Sequence, residues 1–239
     1  CGRAGGMTRL VHLTDLHFGL HRADLVVPLR DAIRANRPDV VVASGDLTQR
    51  ALAGQFDEAM AFLHGLGCPV MVIPGNHDLP AYNPLARLCM PFAAFRAGAA
   101  PDLSPMLQAG RMRLFGINTA DPWQWRGGRV RARAIDRLCR AMRDGPADAL
   151  NILVAHHPFE EPAGFDRGET RGARVAMARM AGAGLHVILS GHLHHWAVGL
   201  GIVADTARPV VQVQSGTALC ARVHERDHGF AVLHGAPGR

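Results

Sequence analysis

The chain has 239 residues, 48% of them hydrophobic, enough to bury one substantial core. No apolar run approaches ~20 residues, so the sequence offers no helical membrane span. Net charge is +6 and all 26 basic residues are arginine, scattered rather than clustered: a surface suited to anionic, phosphate-bearing partners but no argument for a nucleic-acid-binding domain.

Residues 1–6 precede Met7 and read as a tag remnant or a mis-set start, leaving 7–239 as a single expected domain. Arg9–Thr14 predicts a strand that ends in Asp15-Leu16-His17. Asp24 is positioned to cap a helix carrying Leu25, Leu29 and Ile33, which Pro38 stops. Asp39–Ala43 predicts an apolar strand ending in Ser44-Gly45-Asp46. Phe56, Met60, Leu63 and Leu66 share one face of a second helix, closed by Gly67. A third strand, Pro69–Ile73, ends in Pro74-Gly75-Asn76-His77-Asp78. Residues 80–110, rich in proline and alanine, break the rhythm and predict short helices and loop over one face. Arg111–Asn118 predicts a fourth strand, and Arg131–Arg143 a helix with Ile135, Leu138, Cys139 and Met142 inward. Asn151–Ala155 is the next strand, ending in His156-His157-Pro158. A helix is predicted around Thr170–Ala183, then an apolar strand that runs into Ser190-Gly191-His192-Leu193-His194. On extended backbone His192 and His194 point to the same side, and Gly191 permits close approach to a site. Val210–Val213 and Phe230–Leu233 offer later short strands.

Alternating strands and helices with near-continuous apolar strands predict an α/β fold around a covered, partly parallel sheet. The β-rich end predicts a second sheet packed against the first. The five cysteines lack metal-type spacing and suit free thiols in a reducing compartment, so the expected location is cytoplasmic.

Ligands in such sheets bind beyond the carboxyl ends of the strands. Asp15, His17, Asp46, Asn76, His77, Asp78, His156, His192 and His194 all fall there. Carboxylate, amide and imidazole make an O/N donor set without thiolate, suited to Mn, Fe, Zn, Ni or Co. Seven of these as metal-ligand candidates are too many for one ion with open positions, and fit two ions that share a carboxylate.

Asp15-x-His17, Gly45-Asp46, Gly75-Asn76-His77-Asp78, His156 and Gly191-His192-x-His194, in that order, resemble the motifs of the calcineurin-like metallophosphoesterase family. The resemblance spans about residues 9–220 and implies a four-layered α/β/β/α sandwich with a dinuclear centre of Mn, Fe or Zn. By it, Asp15, His17 and His194 hold one metal, Asn76, His156 and His192 the other, and Asp46 bridges. A hydroxide between the metals attacks a phosphodiester, His77 assists the leaving oxygen, and Asp78 fixes the His77 ring. Ser44–Thr48, Val72–Asp78, Ala155–Pro158 and Ser190–His194 most resemble the bacterial class III cyclic-nucleotide phosphodiesterase branch. The implied substrate is a small phosphodiester, with 3′,5′-cyclic AMP favoured. A nuclease like the DNA-repair exonucleases and a nucleotide-diphosphate hydrolase are the alternatives on the same site. A nucleic-acid partner is thus not favoured, and no membrane partner is expected. An intact ligand set argues against a non-enzymatic binding module. Oligomeric state stays open, a homodimer included.

The loop Thr119–Arg129 carries Trp123, Trp125, Arg126 and Arg129, which either stack on a base and hold a phosphate or pack the loop onto the body. Trp125, Arg126 and His157 are therefore candidate substrate contacts. His12 and His186 read as core or sheet-face histidines. His64, His224, His228 and His234 have no evident partner in the sequence.

Overall fold

The structure, a computed structural model, describes residues 7–161, 170–201, 209–222 and 227–236. The reading of residues 1–6 and His224 both lie outside these. Strands β1 (Thr8–Leu13), β2 (Val40–Ala43) and β3 (Val70–Val72) alternate with helices α1 (Ala23–Ala35) and α2 (Ala53–His64) and pair in parallel. Short helices α3 (Pro84–Cys89) and α4 (Ala93–Gly98) follow. Then come β4 (Met106–Ala109), β5 (Met112–Ile117), α5 (Ala132–Arg143), β6 (Leu150–Ala155), α6 (Ala173–Ala181) and β7 (Leu185–Ser190). The chain ends with β8 (Ala197–Gly201), β9 (Val210–Gln214) and β10 (Ala231–Gly235). One sheet has the order β10-β1-β2-β3, the other β4-β5-β6-β7-β9-β8.

Side-chain alternation builds four layers. Leu10, Val40, Val42, Met71 and Ile73 turn toward the second sheet and meet Met112, Leu114, Ile152, Val154 and Leu189 there. Their neighbours Val11, Leu13, Val41 and Ala43 turn the other way, onto Leu29, Ile33, Phe56 and Leu63 of α1 and α2. Phe115, Ile117, Leu153 and Ile188 likewise face Ile135, Leu138, Met177 and Met180 of α5 and α6. Strands buried on both faces read as unbroken apolar runs, which is why Val40-Val41-Val42 needs no polar position. The result is the α/β/β/α sandwich, and the carboxyl ends of β1, β2, β3, β6 and β7 deliver their loops to one edge.

Several local expectations change. Asp24 does not cap α1; Arg22 occupies that position, and the Asp24 carboxylate pairs with its guanidinium at 2.6 Å. The helix expected from Thr170 begins at Ala173, because the Thr170 hydroxyl donates to the Pro158 carbonyl instead. Within 80–110 lies the unforeseen edge strand β4, whose partly exposed residues give no continuous apolar run. The unforeseen β8 is the other edge of that sheet, antiparallel to β9. The second sheet is thus not the late β-rich segment alone: it takes in β4 to β7, and β10 crosses back to pair with β1. His228 gains a partner, the Cys220 carbonyl, at 2.7 Å. Among the described residues no helix is long and apolar enough to cross a membrane.

One buried histidine ties the two sheets together at the edge where the loops gather. His12, on β1, reaches the Ser44 hydroxyl after β2 through Nε2 and the Ser215 hydroxyl after β9 through Nδ1, both at 2.8 Å. A neutral ring donates at one nitrogen and accepts at the other, so it satisfies both hydroxyls. Burial pushes its pKa down to about 3, with the nearby Asp15 carboxylate opposing. The unfolded chain binds this proton near pH 6.5 and the folded one does not, so stability is full above pH 6.5 and falls as pH drops toward 3. Metal-stripped His12→Asn protein should be less stable than wild type at neutral pH. It should also lose less with acidification, about 1.4 kcal/mol per pH unit less at the limit. Urea unfolding between pH 4 and 7.5 measures both.

Candidate metal centre

The loops beyond the strand ends continue to hydrogen-bond one another after the sheets stop. Asp15 N donates to Gly45 O at 3.1 Å, His17 N to Asp46 O at 2.9 Å, and Gly191 N to His156 O at 2.9 Å. This backbone lattice holds conformations that side chains normally avoid. Of seven non-glycine residues with positive φ among the described residues, five are Asp15, His17, Asp46, His192 and His194. Each costs on the order of 1 kcal/mol or more, and such strain persists only where the surroundings over-determine it. The extended backbone expected for His192 and His194 is therefore corrected: both are left-handed, and their side chains diverge.

The seven expected ligands come together as two groups around Asp46. On one side His194 Nε2 lies 3.1 Å from Asp15 Oδ1 and 3.2 Å from His17 Nε2. On the other, His156 Nε2 is 3.1 Å from Asn76 Oδ1, and the His192 ring is 5.2 Å from that of His156. Asp46 Oδ2 is 3.6 Å from His17 Nε2 and 3.4 Å from His156 Nε2.

Most of these donors are tied to the protein at one end, leaving the other end inward. Asp15 Oδ2 accepts from the Thr14 hydroxyl at 2.7 Å and His192 N at 2.9 Å, which leaves Oδ1 for the centre. Asp46 Oδ1 accepts from His77 N at 2.8 Å. His156 Nδ1 donates to the Ser44 carbonyl at 2.9 Å, so its Nε2 carries a lone pair when the ring is neutral. Asn76 Nδ2 donates to the Trp125 carbonyl at 3.1 Å, which fixes the amide with its oxygen inward. Anchoring of this kind orients metal ligands and raises their basicity.

The charge balance also fits cations. Burial opposes ionisation of Asp15 and Asp46, yet the surrounding imidazoles hold both carboxyls well below the usual range. Burial equally opposes protonation of His156, but the Asp46 carboxylate pushes its pKa up to about 9. Burial brings His192 down to about 3, with His156 adding to the shift. Among the described residues, the ion-pair partners of the two carboxylates are imidazoles only. Two buried anions whose ion-pair partners among the described residues are imidazoles make a site that favours positive charge. The Asp15, Asp46 and His156 donor atoms lie within 4.8 Å of one another, as do those of His17, Asp46 and His77.

Asp78 does not touch the His77 ring. Its carboxylate accepts from Leu47 N, Thr48 N, Gly75 N and the Thr48 hydroxyl at 2.9–3.2 Å, stapling two loops. Burial and then the Asp46 charge push Asp78 up to about 7. His77 is held instead by the Gln49 carbonyl at Nδ1, 3.1 Å, and by Arg222 at Nε2, 3.1 Å. His157 is corrected as a substrate contact: it is 1% exposed, beneath Gly128, and burial followed by the neighbouring His192 and His156 drives its pKa far down. Trp123 and Trp125 are 76% and 63% exposed, so they do not pin the loop to the body. That task falls to Arg87, whose buried guanidinium donates to the Pro80, Pro122 and Gln124 carbonyls and backs the Trp125 ring at 4.3 Å. Arg126 and Arg129 are exposed.

Arg87, Arg222 and Cys220 were not singled out from the sequence. The Cys220 thiol belongs to a group with His17 and His194 whose donor atoms lie within 4.8 Å, so sulfur is not remote from the centre. No spacing marks these three, since they arrive through long-range contacts.

Fold and site together define a metal-dependent phosphoester hydrolase. The chain belongs to the calcineurin-like phosphoesterase family, whose sequence profile matches residues 8–196. A Synechococcus protein named "Probable cyclic nucleotide phosphodiesterase" is 24% identical over 220 residues, 86% of this chain and 81% of its own length. A Rhodopseudomonas palustris protein of the same description is 29% identical over 167 residues, covering 63% of this chain and 57% of its own. Among solved structures, a dimetal phosphatase from Danio rerio superposes with a TM-score of 0.66 at 13% identity, over 94% of this chain and 91% of that one. That likeness concerns the fold.

Two glycines let the loops close on the carboxylates. A Cβ on Gly75 would strike Asp46, and one on Gly191 would strike the Thr14 hydroxyl and come within 2.6 Å of Asp15 Oδ2. Gly191→Ala should therefore displace Asp15 and weaken metal retention by ~10–100-fold, with the fold preserved. Competition with a chelator, read by metal analysis alongside circular dichroism, measures it.

Proposed function

We propose that this chain is a dinuclear metal-dependent phosphodiesterase acting on small phosphodiesters, with 3′,5′-cyclic AMP the favoured substrate. The observation that carries the reading is Asp46 Oδ2, 3.6 Å from one histidine group and 3.4 Å from the other. Asp15, His17 and His194 are assigned to one ion, Asn76, His156 and His192 to the second, and Asp46 to both. Two cations held there would supply an activated water and would neutralise charge on the phosphate oxygens. The donors suit Mn, Fe or Zn.

His77 stands at the rim of this cluster, its ring 4.8 Å from that of His17, and is assigned to the leaving oxygen. Asp78 serves it indirectly, by fixing the loop that carries it. The exposed Trp125 ring, backed on one face by Arg87, suits stacking on a base, and Arg126 adds positive charge beside it. The names of the two bacterial relatives support the cyclic-nucleotide class. A nuclease or nucleotide-diphosphate hydrolase would use the same inner donors and differ only in what the rim accepts. Cys68, Cys89, Cys139 and Cys220 are free thiols, which supports a reducing, cytoplasmic setting.

Metal-stripped protein reloaded with Mn²⁺ should hydrolyse cyclic AMP in preference to single-stranded DNA and a nucleotide diphosphate. Reversed preference would move the substrate class, and no diester turnover with any divalent metal would end the reading. Asp46→Ala should lose both ions and at least ~10²-fold in activity; full occupancy by metal analysis would remove its shared role. Trp125→Ala should raise KM for cyclic AMP while leaving metal content and melting temperature unchanged.

A further inference from the structure

The segment after β9 is built onto the loop that carries Asp15 and His17. Ala218 N donates to Thr14 O at 3.0 Å, Ala221 N to Leu20 O at 2.9 Å, and Arg22 N to Leu219 O at 2.8 Å. The Thr217 hydroxyl donates to Asp15 O at 2.7 Å and accepts from Cys220 N at 2.9 Å. His228 closes on the Cys220 carbonyl. These bonds set the half-buried Arg222 beside the centre, its Nη2 3.1 Å from His77 Nε2.

The direction of that bond follows from the other end of the ring. His77 Nδ1 faces the Gln49 carbonyl, which only accepts, so Nδ1 carries the proton. Nε2 of the neutral ring is then the acceptor for Arg222. Among the described residues Arg222 has no carboxylate partner, while Arg22, Arg30, Arg111 and Arg179 each have one. A guanidinium at the rim of a cation-binding centre, bonded to a neutral imidazole nitrogen, is held in place without being neutralised. An anion offers it a stronger partner, because charge-assisted bonds are about twice as strong as neutral ones and the guanidinium fork matches phosphate.

We propose that Arg222 is the residue that recognises the substrate's phosphate: its N–H groups pass from His77 Nε2 to the non-bridging oxygens. The proposal rests on the phosphodiesterase reading for the identity of the anion, and it adds a residue that binds by charge and shape beside the metal donors.

Arg222→Gln and Arg222→Lys separate this role from simple positioning of His77. Glutamine keeps an N–H donor for Nε2 but has no charge; lysine keeps the charge without the fork. The probe is inorganic phosphate, titrated calorimetrically into Mn²⁺-loaded protein, so turnover is not required. Arg222→Gln should weaken phosphate binding by about 10- to 100-fold and raise KM for the diester far more than it lowers kcat. Arg222→Lys should recover part of both, with Mn²⁺ content unchanged in each variant. Unchanged phosphate affinity in Arg222→Gln would overturn the proposal, and so would a parallel loss of Mn²⁺, which would make the residue part of the scaffold. Arg222-dependent phosphate binding in a wild-type protein that cleaves no diester would sink the substrate reading and leave the anion role standing.

Discussion

Two buried carboxylates, Asp15 and Asp46, set the terms for the rest of the molecule. A buried anion without a compensating charge is strongly unfavourable, and here imidazoles are the ion-pair partners. The protein meets that cost by satisfying one oxygen of each carboxylate with hydroxyl and backbone donors and leaving the other for a cation. Replacing buried ion pairs by hydrophobic groups of similar volume is often neutral or stabilising, so a charged centre this far inside points to binding rather than to stability.

The sandwich supplies the geometry that such a centre needs. Parallel strands bring successive carboxyl ends to one edge, and the loops there go on hydrogen-bonding after the sheets end. That continuation lets five site residues hold left-handed conformations whose summed cost, several kcal/mol, is a large share of a usual 5–15 kcal/mol stability. Asp78 belongs to the same economy. Its carboxylate satisfies three backbone N–H groups from two loops, and in doing so aligns Asp46 with Asn76 and His77.

The inner donors were legible because chemistry and topology speak through the same residues. Asp15-x-His17, Gly45-Asp46 and Gly75-Asn76-His77-Asp78 each end an apolar run, so the strands and the ligand candidates are found together. Backbone conformation was not legible: alternation of His192 and His194 suggests extended chain, whereas the Asp15 carboxylate captures His192 N and turns the segment left-handed. The edge strands β4 and β8 escaped for a different reason. Half-exposed β4 is broken by Gln108 and shows no apolar run, whereas β8 is apolar but carries Gly199 and Gly201, which read as loop, and its Val198 and Leu200 are exposed.

What the sequence hides most completely is the rim. Arg87 acts by reaching three carbonyls from two loops, and Arg222 by being carried in on a segment more than 200 residues from Asp15 in the chain. In a chain with 26 arginines and no lysine, neither stands out by type or spacing. Yet both are where arginine cannot be replaced by lysine without loss: one as a planar donor to several carbonyls at once, the other as a fork at the height of His77. The inner donors carry the chemistry on which the metal-dependent reading rests. The rim, assembled from contacts distant in sequence, presents Trp125, Arg126 and Arg222 around those donors, so what the site accepts depends on residues that no motif marks.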